Sequence, residues 1–159
     1  MKHHPKRRRT RAREVALQFL YQHDLCGQET LADMTEFLGR ECPDKEVQSF
    51  AARLVHGTLR QLEGADRQLR EVTRNWDLDR MAVVDRNVLR MAIFELLHCP
   101  DIPPKVTINE AIELGKKFST ANSGAFINGI LDRVRINHEA LVAEGEKLGE
   151  PPATLSQET

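Results

Sequence analysis

The side chains best suited to chemistry crowd one end of this chain. Residues 1–13 hold seven bases (Lys2, Lys6, Arg7, Arg8, Arg9, Arg11 and Arg13) and no acid. On a helical wheel with Ala12 at zero, the apolar stripe of this segment centres near about 10°, Arg11 falls at about 260°, Gln18 at about 240°, Arg7 at about 220° and Tyr21 at about 180°. Tyr21 therefore faces away from the stripe, on the side that carries Arg7, Arg11 and Gln18. Guanidinium groups pair with phosphates and an exposed ring stacks an unpaired base, so the combination suits single-stranded RNA. A solvated face bearing the same residues is the competing reading.

Other chemistry is poorly supported. His3 and His4 are adjacent, and two imidazoles do not make a metal site. His23 lies on the apolar stripe and reads as a packed histidine. Glu110 and Glu113 sit one helical turn apart, as an acid/base couple would, but Lys116 and Lys117 follow at the spacing of intrahelical ion pairs. Cys26, Cys42 and Cys99 are odd in number and without a CxxC pair, so free and mostly packed thiols are expected. There is no GxSxG, P-loop, HExxH or GxGxxG. The residues indicate no enzyme, no cofactor and no metal.

The charge total conceals this segregation. Over 159 residues, 23 Lys and Arg face 24 Asp and Glu, a net charge of −1. Residues 14–159 hold 16 bases and 24 acids, so the body carries −8. The length fits one domain with a core that needs no disulfide. No unbroken apolar stretch exceeds four residues, as at Met81–Val84, far short of the roughly 20 that span a bilayer. Glu14, Gln18, Gln22 and Asp24 interrupt any secretory h-region. A cytoplasmic protein with no membrane contact is expected.

The elements that must position these groups read as helices throughout, with no alternating strand. Ala12, Val15, Ala16, Phe19, Leu20 and His23 place a first helix over about Arg8 to Asp24, with Gly27 as its stop. A second runs from about Glu29 to Glu41, through Leu31, Met34 and Leu38. A long stretch from Val47 to Val72 should bend or divide at Gly57 or Gly64, each costing about 1 kcal/mol relative to Ala. Arg74 to Arg80, around Trp76, reads as a turn. The helix from about Ala82 to His98 is apolar over so wide an arc that it belongs at the centre, and Pro100, Pro103 and Pro104 end it. Helices over Val106–Phe118 and about Ser123–Asn137 follow, with Gly115 permitting a close neighbour. Beyond about Leu148 a disordered tail, 149–159, is expected.

Four blocks, in order, carry a resemblance. They are Arg8-Arg9-Thr10-Arg11-Ala12-Arg13-Glu14 with Ala16-Leu17-Gln18-Phe19-Leu20-Tyr21, then Arg86 to Leu96 (RNVLRMAIFEL), then Pro104 to Leu114 (PKVTINEAIEL), then Phe126 to Asp132 (FINGILD). Together they resemble the NusB family of bacterial transcription antitermination factors over about residues 7 to 135. The last two blocks are the specific ones.

The resemblance implies an all-α fold, about seven helices in two small bundles; one compact domain is expected over residues 1–148, with 1–7 a mobile basic arm. It implies binding to boxA-type RNA of nascent ribosomal transcripts as a heterodimer with the ribosomal protein NusE. It places that pair in an antitermination complex with RNA polymerase and other Nus factors. By position it puts RNA contacts on Arg7, Arg8, Arg9, Arg11, Tyr21 and Phe126. Asn122 and Ser123 lie in the adjoining loop, where relatives often carry charged side chains. The −8 body suits a basic ribosomal protein, since complementary fields speed encounter. Asn109, Asn128, Gly129 and Asp132 are assigned to caps and close helix contacts, whereas Phe126 could pack inward or stack a base. Two alternatives are the NusB-like domain of a longer rRNA methyltransferase and a homodimeric helical interaction protein. Monomer and homodimer stay open.

Overall fold

The computed structural model describes residues 5–74 and 78–147. Among them are seven α-helices and no strand: α1 (Pro5–Cys26), α2 (Met34–Glu41), α3 (Lys45–Arg60), α4 (Leu62–Thr73), α5 (Val83–His98), α6 (Pro104–Phe118) and α7 (Ser123–Lys147). Trp76, the expected tail and the first four residues of the expected basic arm lie outside the described residues.

Several boundaries differ from the sequence expectation for identifiable reasons. α1 already covers residues 5–7 and runs two residues past Asp24, to Cys26. Residues 5–7 are thus helical rather than part of an arm. The expected helix from Glu29 is two elements: a 3-10 segment, Gln28–Asp33, precedes α2 and buries no residue. Gly27, at φ 89°, turns the chain there, and its carbonyl accepts from the Thr30 hydroxyl at 2.9 Å.

The stretch from Val47 to Val72 divides at Gln61 (φ −103°, ψ 20°), between the two glycines rather than at either. Gly57 serves packing instead, because a Cβ there would lie 2.0 Å from Cζ of Phe94. The expected close approach at Gly115 is present, with Ile127 Cδ1 2.4 Å from where a Cβ would stand. None exists at Gly129, where a Cβ would meet nothing within 4 Å. α7 continues ten residues beyond Asn137; residues 139–144 (EALVAE) are good helix formers, and Arg135 bonds Glu139 one turn on at 3.1 Å.

α1, α2 and α3 pack together and α5 lies against α1 and α3, forming one bundle; α4, α6 and α7 pack around the same α5 to form the other. α5 is the shared centre, burying Val88, Leu89, Met91, Ala92, Ile93 and Phe94. Such side chains contribute roughly 1.5–3 kcal/mol each when fully buried. α1 is enclosed more completely than one apolar stripe implies: every residue from Ala12 to Leu17 is buried, Arg13 and Glu14 included.

Two polar networks fix α1 in place. Arg13 and Glu95 are each 2% exposed. The guanidinium donates to both carboxylate oxygens, at 2.9 and 2.7 Å. Thr107 donates to Glu95 at 3.2 Å, Glu110 lies 3.8 Å from Arg13, and the Thr10 hydroxyl donates to Glu110 at 2.8 Å. Lys117 pairs with Glu14 rather than with Glu113. At the other end of α1, Asp24 accepts from Arg86 at 2.8 Å and Asn87 at 3.0 Å, while Arg90 joins it to Asp66. Cys42 and Cys99 are buried and Cys26 is exposed; burial pushes the Cys99 thiol up to about 11. His23 is half-buried, its ring centroid 6.4 Å from that of Phe19.

Candidate RNA interface

α1 positions the basic residues, and its packing sorts them into three kinds. Arg13 points inward and is neutralised by Glu95, so it leaves the set of surface cations that the sequence count included. Arg8 and Arg11 are surface cations held by acids from the α2–α3 region. Arg8 Nη1 donates to Glu46 at 2.7 Å and its Nε lies 3.6 Å from Asp44; Arg11 stands 3.7 Å from Glu41. Arg7 and Arg9 are exposed, and no carboxylate among the described residues lies within 4.0 Å of either. The Arg9 guanidinium lies over the Phe50 ring, 4.5 Å from its centroid, a cation–π contact that orients it while leaving its N–H groups to bond elsewhere.

Tyr21 is 39% exposed, as its helical phase predicts. It lies on α1 about 15 Å along the axis from Arg11, at 1.5 Å per residue. Gln18 beside it is exposed too.

The α6–α7 loop gathers a separate group. Asn122, Ser123 and Phe126 line a pocket of about 170 Å³ with Arg80, Met81, Ala82, Asp85 and Thr120. Asn122 is exposed. Ser123 is 3% exposed, and its hydroxyl accepts from the Thr120 backbone N–H at 3.3 Å, closing the loop at the start of α7. Its side chain is thus engaged within the protein. Phe126 is half-buried against the core and also lines the pocket. Asp85 Oδ1, on the same wall, is buried without a hydrogen-bond partner. The arginines and this pocket are built by different elements, the first by α1 with α2 and α3, the second by the α6–α7 loop with the start of α5.

The residues that sequence reasoning missed are those that hold the arginines. Glu46 is 38 positions from Arg8, and nothing local links them. Of the polar residues assigned to structure, Asp132 pairs with Arg135 at 2.7 Å, whereas Asn109 and Asn128 are exposed. No group of three or more His, Cys, Asp or Glu among the described residues could hold a metal ion, and no helix there is long and apolar enough to cross a membrane.

Fold and surface together define an all-α protein of two small bundles that presents two guanidinium groups with no acid beside them among the described residues, those of Arg7 and Arg9, near the start of its first helix. A family model, described as the NusB family, matches residues 10–135. The chain belongs to the NusB family. The transcription antitermination protein NusB of Anaeromyxobacter dehalogenans strain 2CP-1 is 52% identical over 128 residues, spanning 80% of this chain and 89% of the relative. That of Pelotomaculum thermopropionicum is 47% identical over 129 residues, spanning 79% and 88%. Among solved structures, T. maritima NusB superimposes with a TM-score of 0.72 at 39% identity, covering 86% of this chain and 93% of that one. A structure described as antitermination factors NusB and NusE in complex with dsRNA gives 0.73 at 27% identity, covering 82% and 98%.

Proposed function

We propose that this protein is a transcription antitermination factor that binds boxA-type RNA of nascent ribosomal transcripts as a heterodimer with NusE, within a complex of RNA polymerase and other Nus factors. The observation that carries the reading is the pair of exposed, acid-free guanidiniums of Arg7 and Arg9 at the head of a rigid helix, in a chain whose relatives are antitermination proteins. Arg8 and Arg11 add phosphate contacts once their carboxylate partners are displaced. Tyr21 stacks a base further along the same helix. Asn122 and Phe126 offer a second contact region, with Ser123 shaping the loop from within. The acidic remainder of the surface suits a basic protein such as NusE. The protein acts by binding rather than by catalysis: Glu110, the carboxylate that spacing had offered for acid/base work, is tied to Thr10 and faces Arg13. Its site of action is the cytoplasm.

Fluorescence anisotropy with a boxA-type RNA, with and without NusE, tests this. Affinity is expected to rise on adding NusE, and no gain would overturn the heterodimer. Replacing Arg7 and Arg9 with Glu should abolish binding with circular dichroism unchanged. These two are cleaner targets than Arg8, where a new acid would meet Asp44 and Glu46. Tyr21→Ala should weaken binding by the about 1–3 kcal/mol of one stacked base, with little loss of stability.

A further inference from the structure

We propose that the groove between α1 and α3 is a phosphate-binding extension of the RNA track, with Arg53 as its distal cation and Glu46 as a built-in competitor for the phosphate. The inference rests on the RNA-binding reading above and adds residues that neither the sequence blocks nor the helical wheel of α1 contain. The groove holds about 500 Å³ and is lined by Arg8, Arg9, Glu46, Ser49, Phe50 and Arg53 among others. Three guanidiniums and the Glu46 carboxylate line an open channel, while Asp44 and Asp101 pair with Arg8 and Arg53 from beyond its lining. The Arg9 guanidinium, with no acid beside it among the described residues, and the N–H groups of Arg53 that Asp101 does not engage offer donors to an anionic ligand.

Each cation is held by a different contact. The Arg9 guanidinium lies over Phe50, 4.5 Å from the ring centroid. Arg53 is held by both oxygens of Asp101, at 2.8 and 3.1 Å. That clamp also holds the Asp101 carboxyl below its usual range. Five N–H groups make a guanidinium, so a clamp engaging two leaves three to meet a phosphate. Arg8 is the third, its buried Nε 3.6 Å from Asp44 and without a hydrogen bond. Its Nη1 is taken by Glu46, whose side chain is 79% exposed. An ion pair with so exposed a partner is weak. A phosphodiester entering the groove replaces Glu46 on Arg8 without disturbing the core.

Binding of a single-stranded RNA carrying boxA and its flanking nucleotides, measured over a series of salt concentrations with NusE present, tests the proposal. Arg53→Gln is expected to weaken binding about two- to fivefold and to reduce the salt slope by about 0.7, the value for one phosphate contact on a single strand. Glu46→Gln is expected to tighten binding by about twofold. Asp101→Asn breaks the same bridge as Arg53→Gln but keeps the cation, and should leave affinity equal or higher. An unchanged affinity and slope in Arg53→Gln would overturn the proposal. So would an equal loss in Arg53→Gln and Asp101→Asn with a lowered melting temperature, since that marks a structural bridge. A loss of NusE binding in the absence of RNA would assign the groove to protein and overturn it too. Failure of the unaltered protein to bind any RNA would instead overturn the function proposed above.

Discussion

Replacing Arg13 with Met should be far more damaging than replacing any other basic residue at the start of α1, and damaging in a different way. Arg13 and Glu95 are both 2% exposed and joined by two hydrogen bonds of 2.9 and 2.7 Å. Methionine fills much of the space but leaves Glu95 buried with the Thr107 hydroxyl as its remaining side-chain donor, 3.2 Å away. Removing one partner of a buried pair costs about 3–5 kcal/mol, because the other charge stays behind without compensation. At about 2–4 °C per kcal/mol for a domain of this size, the melting temperature should fall by roughly 6–20 °C. The Arg13→Met, Glu95→Leu double variant removes both charges and should recover much of that loss, so a double-mutant cycle read by thermal and urea unfolding isolates the pair. At a temperature where Arg13→Met is folded, its RNA affinity should stay within about twofold of the parent, since an enclosed guanidinium offers nothing to a phosphate. A stability loss below about 1 kcal/mol, or lost RNA binding with stability intact, would refute the reasoning.

Two further outcomes follow from packing and from charge. Gly57→Ala and Gly64→Ala should have opposite signs in urea unfolding: the first drives a Cβ into Phe94 and costs about 1–3 kcal/mol, whereas the second, with nothing within 4 Å, gains up to about 1 kcal/mol of helix propensity. Burial works against ionisation of Asp24, but hydrogen bonds from Arg86 and Asn87 and the charges of Arg86 and Arg90 outweigh it and hold the carboxyl below the usual 3.8. Its contribution is therefore fully present above about that value and is lost as pH falls through the lower folded one. The stability difference between the parent and Asp24→Asn should be constant from pH 7 to about 5 and shrink on further acidification; a difference that grows toward acid would contradict the clamp.

The helices were legible in the sequence where their cause is local. Apolar spacing of three and four places α5 and its wide buried arc, and Pro100 and Pro103 mark where it must stop. The outward direction of Tyr21 follows from helical phase alone. Where two local rules competed, the sequence was less clear. Glycine in a long helical stretch reads as a weak point, yet Gly57 is there because Phe94 comes from another helix to occupy the space a side chain would take. The extent of α7 past Asn137 was missed because its last turns carry little apolar pattern, only helix-forming residues and an Arg135–Glu139 pair.

By itself the sequence determined an all-helical chain with its bases crowded at one end, an outward tyrosine and the blocks of a family. Those are properties of residues close together along the chain, where spacing and phase decide direction. Only the tertiary structure decided which of those bases face solvent. Arg13 is enclosed with Glu95, 82 positions away. Arg8 is held by Glu46, Arg11 stands beside Glu41, and Arg7 and Arg9 have no acid beside them. A guanidinium binds phosphate according to what already neutralises it, and that neighbour arrives from another helix through folding.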